Sequence, residues 1–248
     1  MIKRLEIKNL SKTIESKKIL DNVSIEINTG QAIGILGPNG SGKTTLFHII
    51  IGLIKSDTGS ILVENKDITN YQIHTRAKYG ISYLPQEPSI FRNLTVEDNI
   101  KSIIEIQSEI NTIKMKDLLE ELIIKLNIQK IRNTKGKSLS GGERRKVEIA
   151  RCLATKPIFL LLDEPFIGID PISIIDIKNI ITFLLKSNIG IMITDHNVQE
   201  ILNICIKSYI INNGKIIFSG SSENILKNQE IQKIYLGKNF LNTWKTEE

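Results

Sequence analysis

Residues 32–45 read Ala32-Ile33-Gly34-Ile35-Leu36-Gly37-Pro38-Asn39-Gly40-Ser41-Gly42-Lys43-Thr44-Thr45, and this stretch decides the fold. Its first five residues form an apolar run of strand length, and Lys43–Ile51 reads as a helix. Between them, glycines let successive backbone N–H groups curl around phosphate oxygens, and the helix that follows turns its positive end towards them. Lys43 supplies a point charge to the outer phosphates, and the Thr44 hydroxyl is a magnesium ligand; the nucleotide-binding set is Gly37 to Thr45. A plain glycine-rich turn is the alternative, and the complete pattern in a strand–loop–helix setting outweighs it.

Ile158-Phe159-Leu160-Leu161-Leu162-Asp163-Glu164 is the second anchor. A buried strand that ends in a carboxylate delivers it to the sheet edge where open α/β folds bind ligands. Asp163 is placed to hold magnesium, directly or through water, and Glu164 to polarise an attacking water as general base. Further strands are predicted at Leu5–Lys8, Val23–Ile27, Ile61–Val63, Ile81–Leu84, Ile189–Thr194, and on both sides of Asn213-Gly214, a pairing suited to a tight hairpin. Helices are predicted at Met115–Leu126, Gly142–Ala154, Ile172–Leu185 and Val198–Ile204. Apolar strands that each lead into a loop and helix predict an α/β fold with a mostly parallel sheet, covered on both faces. The stretch from about Thr95 to Ala154 is helical and polar, an insertion into that core. The guanine-reading Asn-Lys-x-Asp pattern is absent, since Asn65-Lys66-Asp67-Ile68 has the wrong spacing.

Leu139-Ser140-Gly141-Gly142-Glu143 opens the helix upstream of Asp163, a second small-residue helix N-terminus in a chain with one phosphate loop. Here the sequence resembles the ATP-binding cassette (ABC) ATPases, P-loop NTPases with an antiparallel β subdomain and an inserted helical signature subdomain. The resemblance implies that Ser140, Gly141, Gly142 and Glu143 cap the γ-phosphate held by the opposite subunit, hence a head-to-tail homodimer enclosing two ATP molecules with Mg2+. It also implies that Gln86 senses magnesium and the attacking water, that the Asp170 loop packs across the dimer interface, and that His196 contacts the γ-phosphate and orients Glu164. The expected division is a single ATPase domain over residues 1–240, with a core of about 1–88 and 157–222, a helical subdomain of about 89–156, and a tail at 241–248. The family's adenine-stacking aromatic would fall in Thr13-Ile14-Glu15, where Ile14 stands instead.

A finer resemblance is to the ATPase subunits of lipopolysaccharide-export transporters. It is carried by Tyr83–Leu94, by Leu139–Arg145 with Glu after the glycines, by Thr194–Glu200 and by Tyr235–Phe240. It implies that Phe91 and Arg92 line the groove receiving two membrane-spanning subunits on other chains. The ATPases of branched-chain amino-acid importers share every catalytic residue and differ in the groove and tail. Asp163-Glu164-Pro165-Phe166 looks like a transport ATPase rather than the iron–sulfur-assembly type.

Composition agrees with this reading. The chain has 248 residues, 41% hydrophobic and 24% charged, which is ordinary for a globular protein. The longest apolar candidate, Ile180–Thr194, is interrupted by Lys186, Ser187 and Asn188, too short for a membrane span. The expected place is therefore the cytoplasm, peripheral on the inner membrane through partner chains. The net charge of +6 is scattered, so no nucleic-acid partner is expected. Cys152 and Cys205 are far apart without metal-spaced partners, and read as buried free thiols; His48 and His74 read as packing or surface residues.

Overall fold

The structure, a computed structural model, describes residues 2–107, 112–228 and 231. The stretch 235–240 and the tail 241–248 lie outside the described residues. Two antiparallel strands open the chain, β1 (Arg4–Ile14) and β2 (Lys17–Asn28), reversing at Glu15 and Ser16. Next come β3 (Ala32–Leu36) and α1 (Lys43–Ile51), which flank the phosphate loop as predicted. The strands β4 (Thr58–Val63) and β5 (Lys66–Asp67) lead through α2 (Ile73–Lys78) to β6 (Ile81–Leu84). A helical stretch follows, with α3 (Val96–Glu105), α4 (Thr112–Lys125), two 3-10 turns and α5 (Gly141–Ala154). Then β7 (Phe159–Asp163), α6 (Pro171–Lys186), β8 (Gly190–Thr194), α7 (Val198–Ile204), β9 (Lys207–Asn212), β10 (Lys215–Gly220) and α8 (Ser222–Lys227) follow.

The strands form two sheets, a six-stranded one ordered β10-β9-β3-β8-β7-β6 and a four-stranded one ordered β2-β1-β4-β5. In the larger sheet every pairing is parallel except β9 with β10, which turn back at Asn213-Gly214, both left-handed. Its inner strands β3, β7 and β8 are buried along their whole length because both faces are covered, and the two-residue period sorts the apolar residues of the sheet. Ala32, Leu36, Leu160, Leu162, Ile191, Ile193 and Ile210 join the core under α5, α6 and α7. Their neighbours Ile33, Ile35, Phe159, Leu161, Met192, Tyr209 and Ile211 face α1 and the antiparallel sheet.

Differences from the sequence reading lie in polar or short elements. β1 and β2 run well past their apolar cores because cross-strand pairing continues through register shifts over polar residues. The short elements β5, α2 and α8 carry no amphipathic period that would announce them. In the helical stretch, α3 starts at Thr95, whose hydroxyl accepts from Asp98 N, and buries Val96, Asn99, Ile100 and Ile104. Both cysteines are buried free thiols, as expected, and burial pushes Cys152 up to about 11. Among the described residues, no helix is long and apolar enough to cross a membrane.

The far end of α1 is held by one buried side chain. Arg76 of α2 donates to the carbonyls of Ile49 (2.5 Å) and Ile50 (2.7 Å), and to those of Thr69 (2.6 Å) and Tyr71 (2.9 Å). The guanidinium thus takes up the last carbonyls of α1 in place of water. Arg76→Met is expected to lower unfolding stability by about 3 kcal/mol, since charged hydrogen bonds are lost and carbonyls stay buried. Denaturant unfolding of parent and variant checks this; equal midpoints would contradict it.

Candidate active site

The phosphate loop is shaped by what surrounds it. A Cβ on Gly37 (φ 155°) would lie 2.1 Å from the Ile211 carbonyl oxygen, so only glycine lets the loop leave β3 beside β9. Pro38, Asn39 and Gly40 are exposed, and a Cβ on Gly40 would meet nothing within 4 Å. The loop therefore presents an open concavity. Gly42 caps α1 without a side-chain hydrogen bond, and no acidic residue stands in the first turn, where Thr44 and Thr45 are half-buried. These free N–H groups make an anion site. The Ser41 hydroxyl is buried beside them with no hydrogen-bond partner. Lys43 is buried too, and its Nζ donates to the carbonyls of Gly37 (2.7 Å) and Pro38 (3.0 Å). Burial lowers its pKa below the lysine range, while Glu164 and Asp163 act to raise it.

Those acids sit at the end of β7. Asp163 is 1% exposed; one oxygen accepts from the Thr194 hydroxyl (2.5 Å) and the other from the Tyr83 hydroxyl (3.1 Å). Burial, with Asp163 adding to it, holds the Tyr83 hydroxyl far above its usual range. At Glu164 the backbone turns left-handed (φ 50°), and its N–H donates to the Thr194 carbonyl (2.9 Å). One oxygen of its carboxylate accepts from Gln86 Nε2 (2.8 Å), and the other lies 2.8 Å from His196 Nε2. The turn carrying His196 is fixed by Asp195, which accepts from the N–H groups of Asn197 (2.8 Å) and Phe166 (3.0 Å). Burial raises the Asp195 pKa, and those two hydrogen bonds act to lower it. Lys43, Asp163, Glu164, Gln86 and His196 thus share one place, the C-terminal edge of the parallel sheet.

Ser140, Gly141, Gly142 and Glu143 lie apart from it. Among the described residues, no hydrogen bond or ion pair joins them to the phosphate loop. Ser140 and Glu143 form a reciprocal capping box at the exposed start of α5: Glu143 N donates to Ser140 Oγ (3.3 Å) and Ser140 N to Glu143 Oε2 (2.9 Å). Asp170 caps α6 in the same way, accepting from Ser173 N (3.0 Å) and Ser173 Oγ (2.6 Å), which hold its carboxyl below the usual range. The two caps touch: a Cβ on Gly142 would lie 2.1 Å from Ser173 Oγ. Phe91 and Arg92 form a third, exposed place on the connection from β6 to α3, with the Arg151 guanidinium 4.5 Å from the Phe91 ring centre.

A family model described as ABC transporter matches residues 20–167, more than half of the chain. The chain belongs to the ABC transporter family. It is 47% identical over 236 residues to the lipopolysaccharide export system ATP-binding protein LptB of Haemophilus influenzae, covering 95% of this chain and 98% of that one. The protein of the same description from Escherichia coli is 46% identical at the same coverage. Among solved structures, an ATP-binding cassette of an ABC transporter in its ADP conformation superposes with a TM-score of 0.85 at 33% identity, covering 95% of this chain and 99% of that one. The expected α/β cassette fold and ATPase activity therefore stand.

Sequence reasoning assigns no role to Tyr83, Thr194, Asp195, Arg145 or Glu148. Thr194 and Asp195 are flagged only by being polar at the end of an apolar strand. Arg145 falls in the buried stripe of α5 with Gly142, Ile149 and Cys152, a helical spacing that signals a buried charge. Its guanidinium donates to the carbonyls of Pro85 (2.9 Å), Asp163 (3.0 Å), Glu164 (2.9 Å) and Pro165 (3.3 Å), fixing the strand end that bears both acids. Gly142→Ala is expected to cut ATP turnover at least about tenfold by pushing α5 off the Asp170 turn. Adding Ser173→Gly, which removes the clashing atoms, is expected to recover part of it. Steady-state ATPase assays decide; a fully active Gly142→Ala protein would contradict the contact.

Proposed function

We propose that the chain is the ATP-hydrolysing subunit of a lipopolysaccharide-export transporter, peripheral on the cytoplasmic face of the inner membrane and acting as a head-to-tail homodimer. The observation that carries the substrate is the 47% identity to a lipopolysaccharide export ATP-binding protein along nearly the whole of both chains. Likeness over the catalytic motifs alone would carry only the family.

Hydrolysis is assigned to the cluster at the sheet edge. Lys43 exchanges its two loop carbonyls for phosphate oxygens of ATP, joined by N–H groups of the loop and by the orphaned Ser41 hydroxyl. Glu164 takes a proton from water as the water oxygen bonds to the γ-phosphorus and ADP leaves; Gln86 and His196 hold its carboxylate from opposite oxygens. A magnesium ion fits the oxygen donors present: the buried Asp163 carboxylate, which has only hydroxyl partners, the Thr44 hydroxyl and the side-chain carbonyl of Gln86. When bound, it would neutralise phosphate charge. The start of α5, Ser140 to Glu143, would meet the γ-phosphate of the second copy. Ser140 is exposed and Gly141 and Glu143 are half-buried, while Ile167, Ile172 and Ile175 near the adjoining Asp170 turn are exposed, an apolar surface suited to such a partner.

Glu164→Gln is expected to keep ATP binding and to lower turnover about a hundredfold or more. Nucleotide binding and phosphate release, measured on the purified chain, check it; near-parental hydrolysis would remove Glu164 as the base.

The groove is assigned to Phe91 and Arg92, with the helical part of the chain, about 89–156, moving with them as ATP closes the dimer. Arg92→Glu is expected to abolish co-purification with the membrane subunits and release of lipopolysaccharide from reconstituted vesicles. Assembly and release both intact would refute the groove, and a parental complex that moves no lipopolysaccharide would refute the substrate.

A further inference from the structure

Glu148 of α5 is 2% exposed, and both of its oxygens are engaged. One accepts from the backbone N–H of Ser89 (2.8 Å), and the other from Arg145 Nη1 (3.2 Å). That guanidinium is the one clamped to the carbonyls of Asp163, Glu164 and Pro165, and to that of Pro85 next to Gln86. Ser89 is two residues from Phe91, and its carbonyl accepts from Arg151, whose guanidinium lies over the Phe91 ring. Both backbone groups of Ser89 are therefore held by α5. Through Arg145, this buried carboxylate ties the segment leading to Phe91 and Arg92 to the backbone that carries Glu164. Removing one partner of a buried ion pair leaves the other uncompensated, so the link is stiff.

We propose that Glu148 is a positioning residue that makes the Ser89–Arg92 segment and the Asp163–Pro165 turn move as one body. Displacement at the groove then reaches the carboxylate that accepts the proton, and nucleotide binding at the sheet edge reaches the groove. This rests on the roles proposed above for Glu164 and for Phe91 with Arg92.

Two measurements on the purified full chain test it. Glu148→Leu combined with Arg145→Met replaces the pair by apolar side chains of similar size, so that no uncompensated charge is left buried. The double variant is expected to melt below the parent, since the carbonyls that Arg145 serves stay buried, and, at a temperature where it is folded, to keep its KM for MgATP within about twofold. Its kcat is expected to stay at least about tenfold lower, as for a misplaced catalytic group. A parental kcat in the folded double variant makes the pair merely structural and overturns the proposal. In the second measurement, hydrogen exchange of the 89–92 amides is followed with and without a non-hydrolysable ATP analogue, in the parent and in Glu148→Gln. Protection of these amides is expected to respond to nucleotide in the parent and not in the variant; equal responses overturn the link. Glu164→Gln serves as the control. If that variant hydrolyses ATP normally, the reading of the site fails; if it is inactive while the double variant is fully active, only this inference fails.

Discussion

Burying two consecutive carboxylates is the constraint on which the rest of the structure depends. An acid taken out of water must find hydrogen-bond donors for its oxygens or lose several kcal/mol. Asp163 and Glu164 find them on neighbouring strands and the connections those strands lead into. Tyr83 stands on β6, Thr194 ends β8, Gln86 follows β6 and His196 follows β8. These partners exist only because β7 lies between β6 and β8, with Asp163 in register with Thr194 and Leu84 with Leu162. The parallel order of the sheet and the satisfaction of the two acids are therefore one requirement. The same edge is where β3 delivers the phosphate loop, so Lys43 is buried with the acids as its nearest counter-charges.

Much of this was legible in the sequence because it is local. The strand–loop–helix at residues 32–51, the apolar run ending at Asp163 and the hairpin at Asn213-Gly214 are each set by residues adjacent in the chain, and each forms at the expected place. The gathering of Gln86, Glu164 and His196 was available only through likeness to a family, since no spacing rule brings together residues on separate crossovers. Arg145 and Glu148 escaped for another reason. On a helix as charged as Glu143-Arg144-Arg145-Lys146, a charge run reads as a solvated face. The helical spacing that sets Arg145 with Ile149 and Cys152 is the one signal against that reading, and the packing of α5 against the sheet bears it out. The ends of β1 and β2 were missed because polar strands owe their extent to pairing rather than to an apolar period.

The start of α5 does three things with four residues. Ser140 and Glu143 close the capping box, a motif that takes glutamate or glutamine at its third helical position. Gly142 lets α5 approach Ser173, so that its position and that of the Asp170 turn are set together. Arg145 then reaches back to the backbone of the acids. The surface proposed above to meet a second subunit is in this way continuous with the interior of the first.

The nucleotide's other end receives a different treatment. Ile14 stands at the tip of the β1–β2 hairpin, 38% exposed, where the family's stacking aromatic would fall. An aliphatic side chain offers dispersion contacts but no π-face, and aromatic pairing is worth about 0.5–1.5 kcal/mol beyond area burial. A charge-assisted hydrogen bond contributes about 1.5–3 kcal/mol, and Lys43 and the loop can offer several to a triphosphate. If Ile14 meets the base as the family resemblance implies, affinity in this chain would rest mainly on the phosphates. Such a weighting would suit the closure proposed above, in which the start of α5 meets phosphate, because recognition and closure would then act on the same group.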